Sequence, residues 1–119
     1  MKNLHDLHQR IHVSAEKSAT VRMVVDTGAT YSVFPRALAR ALGIKHLRPV
    51  RISLADGRRV KVDSGLAVFA LAGREVPTAV LVADVSEPIL GVAALDALGL
   101  RVDLQKRRVR QSRALVLRV

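Results

Sequence analysis

The chain predicts an all-β fold of about eight short strands with two short helices, wrapped into a closed or partly closed β structure. Three observations carry that expectation. Half of the 119 residues are hydrophobic, yet aromatics make up only 3% and there is no Trp, so the core must be built from Val, Leu, Ile and Ala. Valine-rich runs favour strands over a helical bundle. The runs are short and separated by turn-forming clusters, and only two stretches carry helix punctuation.

The first run, residues 4–13 (LHDLHQRIHV), ends in a short strand. A helical reading would align His5, His8 and His12, whereas a strand keeps only His8 and His12 on one face. No Asp, Glu or Cys at ligand spacing completes a set, so solvated histidines are expected and no metal or other cofactor is implied. Residues 14–19 form a polar turn. Residues 20–25 then rise as a strand into Asp26, giving a hairpin that delivers an acid. An apolar run that ends on Asp26-Thr27-Gly28-Ala29-Thr30 is unusual, because a carboxylate beside a buried strand is costly unless satisfied. Gly28 permits a sharp reversal behind it. Asp26 therefore reads as a catalytic carboxylate on a loop held by a β scaffold. The triplet by itself also fits a turn residue whose carboxylate bonds nearby N–H groups.

Pro35 at a first helical turn and Gly43 just past an end bracket a helix with Leu38, Ala41 and Leu42 on its apolar face. Residues 50–54 form a strand, Ala55-Asp56-Gly57 a hairpin turn, and residues 59–63 a returning strand that alternates basic and apolar side chains. Residues 66–71 and 76–82 form a second, more buried hairpin. Ile89-Leu90-Gly91 precedes a short helix over residues 92–98 that Gly99 stops. A strand over 100–104, a basic turn at 106–108 and one or two strands over 109–119 complete the chain. Asp96 reads as a helix-surface residue, Asp103 as solvated and Asp56 as a turn former.

The order and spacing of Val24-Val25-Asp26-Thr27-Gly28-Ala29-Thr30, Leu54-Ala55-Asp56-Gly57 and Ile89-Leu90-Gly91 resemble the retropepsin-like aspartic proteases over residues 7–104. The resemblance implies a retropepsin-like closed β-barrel with a flap hairpin, one domain over residues 1–119, working as a homodimer on a polypeptide substrate. It matches Asp26 to the catalytic acid, one per subunit. It matches Thr27 to the residue that braces the opposite loop across the dimer, and Gly28 to the glycine that admits the substrate backbone. Ala29, Thr30, Leu54, Ala55, Asp56, Gly57 and Ile89 fall where that family binds substrate. Viral members often carry an acid and an arginine where this chain has Thr30 and Val92, which points to a different brace. The flap tip holds Asp56 and a single glycine. The family's termini often interleave at the dimer interface, a role open here to residues 114–119.

The formal charge is +10, with 20 basic and 10 acidic residues. Such a balance suits anionic partners or simple solubility. A nucleic-acid-binding role would draw on Arg101, Lys106, Arg107, Arg108, Arg110 and Arg113, but Tyr31, Phe34 and Phe69 are the only aromatics for base stacking, which disfavours it. A non-catalytic dimerisation or peptide-binding module of the same fold is the other alternative. The absence of Cys removes disulfides and thiolate chemistry. The N-terminus lacks a signal-peptide core and no run reaches membrane-spanning length, so a cytoplasmic protein without membrane contact is expected.

Overall fold

The computed structural model describes residues 7–53 and 56–111. In chain order it contains β1 (His8–Ser14), β2 (Ser18–Val25), β3 (Ser32–Pro35), α1 (Arg36–Leu42), β4 (Val50–Ser53), β5 (Arg59–Leu71), β6 (Arg74–Ala83), β7 (Ile89–Leu90), α2 (Val92–Ala97), β8 (Leu100–Asp103) and β9 (Arg108–Gln111). Seven strands form one sheet in the order β1-β2-β7-β3-β6-β5-β4, and β1 also pairs with β5. That extra pairing joins six strands into a ring and leaves β4 at an edge. The expected all-β, closed architecture is thus observed. β8 and β9 form a separate two-stranded sheet.

Alternation in β1 and β2 explains their orientation. Ile11, Val13, Val21 and Met23 are buried, while Arg10, His12 and Arg22 face outward. The inward residues meet Phe34, Phe69, Val80, Val82, Leu90 and Leu98 in one core. Phe34 and Phe69 stack with centroids 5.9 Å apart and planes within 7°.

Several elements differ from the sequence expectation. Residues 59–63 and 66–71 belong to one strand, β5, which pairs with β4 through Val62 and with β6 from Asp63 onward. Its buried side switches at Ser64–Gly65, from Val62 and Ser64 to Gly65, Ala67 and Phe69. Gly65 looks like a break in sequence, but it is an inward position that the preceding loop crosses. A Cβ there would lie 2.7 Å from the Lys45 carbonyl oxygen. Two further differences are β7, a two-residue strand at Ile89–Leu90, and β3, a four-residue strand just before α1, parallel to β6 and antiparallel to β7.

Helix α1 ends as Gly43 predicts. Gly43 adopts φ 69°, and its N–H and that of Ile44 reach back to Arg40 and Ala39. Pro35 closes β3 and flanks the helix rather than opening it. The buried face of α1 is Ala39 and Leu42, with Ala41 exposed. Arg36, in its first turn, donates to Asp84 at 3.0 Å and to Asp63 at 3.2 Å, tying the helix to β5 and to the end of β6. Both contacts, led by the Asp84 hydrogen bond, raise the guanidinium above its ordinary value.

Candidate active site

The loop that follows β2 is fixed from below by β7. β7 lies between β2, to which it runs parallel, and β3. Val24 N–H donates to the Pro88 carbonyl at 2.8 Å and Asp26 N–H to the Leu90 carbonyl at 3.1 Å. The backbone of Asp26 is therefore clamped where the apolar strand ends. Its side chain is half-buried, and Oδ1 accepts the Gly28 N–H at 2.9 Å. The Asp26 carbonyl accepts the Ala29 N–H at 3.2 Å, closing the turn. Gly28 presses so close that a Cβ would sit 3.2 Å from Oδ1.

Helix α2 grips the same loop. The first N–H groups of a helix lack partners within it, and α2 has no side-chain cap. Val92 N–H donates instead to the Ala29 carbonyl at 2.8 Å and Ala93 N–H to the Thr30 carbonyl at 2.9 Å. Gly91 N–H donates to the buried Ser32 Oγ at 3.1 Å. At Thr30 and Val92, where the sequence offers no ion pair, the loop and helix are joined through backbone carbonyls and Ser32. Gly91 makes the approach possible, since a Cβ there would lie 2.5 Å from the Tyr31 carbonyl carbon.

Asp26, Thr27, Gly28, Ala29, Thr30 and Ile89 thus converge on one loop and its support. Thr27 is exposed and stands on the rim of an open groove of about 590 Å³ lined also by Val92, Leu95, Leu100, Val102 and Leu104. Ile89 lies half-buried between Val24 and Val33. Of the flap positions, Asp56 and Gly57 lie apart from this loop, at the β4–β5 turn. Asp56 accepts the Arg58 N–H at 3.0 Å and its Nε at 2.7 Å, as a turn former would. Gly57 adopts φ 87° with open space around it. Leu54 and Ala55 lie outside the described residues, as do His5 and residues 114–119.

Asp103 departs from the solvated reading. It is half-buried, accepts the N–H groups of Gln105 and Lys106 at 3.1 Å, and lies 4.0 Å from Arg110. The Lys106 N–H, followed by the Gln105 N–H and the nearby cations, holds its carboxyl below the usual range. Ser32 is the residue that sequence reasoning missed. A serine four residues past a glycine carries no local signal, because its partner is 59 positions away.

A β ring with one acid loop braced by a glycine-led helix defines a retropepsin-like aspartic protease fold. Residues 11–97 match the family model described as "gag-polyprotein putative aspartyl protease", and the chain belongs to that family. Among solved structures it is similar to EIAV protease complexed with the inhibitor HBY-793, at 27% identity and TM-score 0.66, covering 87% of this chain and 99% of that one. It is also similar to the retroviral protease-like domain of Ddi1 from Leishmania major, at 19% identity and TM-score 0.62, covering 91% and 89%. No curated protein matches the chain. Among the described residues, no helix is long and apolar enough to cross a membrane.

Proposed function

We propose that the chain is a single-domain aspartic endopeptidase that acts on polypeptides as a homodimer. The observation that carries this reading is the Asp26 loop, clamped through its backbone by Leu90 and by α2. Metal-free, non-covalent peptide hydrolysis needs a base to activate water and an acid to protonate the carbonyl oxygen. Two carboxylates a few ångströms apart share one proton and so supply both roles. The ionised member deprotonates the water, and the protonated member donates to the carbonyl oxygen. Because one proton must stay on the pair for the reaction, a mildly acidic optimum is expected.

The chain has one Asp-Thr-Gly triplet, and a two-fold-related copy would contribute the second Asp26. Thr27, exposed beside a groove whose lining is mainly apolar, with the exposed Leu104, but also holds Asp96 and Arg101, is suited to brace the partner loop. Gly28, Ala29, Thr30 and Ile89 would contact substrate from below, and the flap positions Leu54 to Gly57 from above. The flap would close over an extended substrate and exclude water. The test is a peptide-library cleavage assay at several pH values, with oligomeric state measured in parallel. Cleavage by a dimer that Asp26→Asn abolishes is expected. Cleavage that survives Asp26→Asn would sink the mechanism. A monomer without cleavage would favour the module that binds peptides without turnover, a reading prompted by the flap tip, where Asp56 is tied to Arg58.

A further inference from the structure

The outer face of the β4–β5 hairpin carries charge that its own fold does not use. The register sets Arg51 directly opposite Lys61, and Ser53 opposite Arg59. All four side chains are exposed, while Val60 and Val62 of β5 turn inward. Like charges directly opposite each other across an antiparallel pair are destabilising. No carboxylate among the described residues lies within ion-pair distance of Arg51, Arg59 or Lys61. The two nearby acids are engaged elsewhere, Asp56 with Arg58 and Asp63 with Arg36. A single charge on the edge strand would suffice to discourage edge-to-edge aggregation. This hairpin adds two further cations on the inner neighbour.

We infer that this face is a docking surface for an extended acidic polypeptide segment. β4 ends the sheet order, so one of its edges has no strand partner among the described residues. An extended segment can add to such an edge through main-chain hydrogen bonds. Arg51 on β4 would adjoin the added strand directly, and Arg59 and Lys61 follow on the same face one strand further in, two residues apart at a spacing of about 6.8 Å. An extended peptide with acids at alternate positions presents carboxylates at the same interval. A stacking platform for nucleic-acid bases is missing from the hairpin. Phe34 and Phe69 are fully buried against each other, and Tyr31 belongs to the acid loop. Docking of an acidic segment on the flap would favour substrates with acidic stretches beside the cleaved bond; that consequence alone rests on the proteolytic reading.

The test is fluorescence anisotropy of a labelled Glu-Thr repeat peptide and of a single-stranded oligothymidylate, using the whole chain and its Asp26→Asn form. Binding of the acidic peptide that weakens with salt, equally in both forms, is expected. Arg51→Gln combined with Lys61→Gln should weaken it about tenfold, the size of a few exposed ion contacts. Arg10→Gln combined with Arg22→Gln removes the same charge from a directly opposed pair on the β1–β2 hairpin and should leave it unchanged. Equal weakening by both double variants would assign the binding to net charge and overturn the proposal. So would tighter binding of the oligothymidylate, or no binding of the acidic peptide at low salt. Because binding is read without cleavage, an inactive chain would defeat the proteolytic reading and leave this one standing.

Discussion

Ser32 Oγ accepts the Gly91 N–H at 3.1 Å, a buried bond across 59 positions of sequence. It joins the start of β3 to the turn between β7 and α2. The loop carrying Asp26 lies between these two anchors, so the bond fixes both ends of the support at once. Ser32→Ala leaves a buried N–H without an acceptor, which costs about 1–3 kcal/mol. Urea denaturation should show a lower midpoint with an unchanged slope. Under the proposed mechanism, kcat should fall more than KM rises, because the altered support displaces the acid.

Gly91→Ala attacks the same contact sterically. The backbone at Gly91 is extended, with φ −90° and ψ 170°, so conformational freedom is not the reason for glycine. The reason is space, since a Cβ would lie 2.5 Å from the Tyr31 carbonyl carbon and 2.8 Å from the Thr30 carbonyl oxygen. Both are backbone atoms, so the loop itself must move. A loss of about 1–3 kcal/mol is expected, the usual scale for overpacking. Once Gly91 has shifted, the Ser32 bond is already weakened. The double variant should therefore cost less than the sum of the two single ones, measured as a double-mutant cycle.

Local signals made half of this support visible in the sequence. The apolar run ending at Asp26, the glycine at Gly43 and the short hairpins all announce themselves within a few residues. Ile89-Leu90-Gly91 could be placed beside the acid loop only through family resemblance, because a two-residue strand has no periodicity. β3 was not legible, since Ser32-Val33-Phe34-Pro35 is too short to alternate and its partner β6 starts about forty residues later. Nor was the continuity of β5. Gly65 reads as punctuation until the loop that crosses it is known. The links from Arg36 to Asp63 and Asp84 span 27 and 48 positions, and charge spacing along the chain cannot reveal such pairs.

Asp103 sets a pH dependence at the far end of the chain. Its carboxylate caps the β8–β9 turn through Gln105 and Lys106 N–H groups and lies near Arg110. These contacts favour the charged form and hold the folded-state value below the ordinary carboxylate value of 3.8. A group depressed on folding contributes its full stability above its unfolded value and loses it as pH falls through the folded one. The contribution should therefore be intact at neutral pH and fade only below the ordinary carboxylate value. Asp103→Asn keeps an acceptor oxygen but removes the charge. The variant should unfold at lower temperature than the parent at neutral pH, and the gap should narrow steadily as the pH is taken below 3.8. Thermal denaturation across that range reads this directly. A gap that stays constant to low pH would mean that the charge of Asp103 does not stabilise the turn.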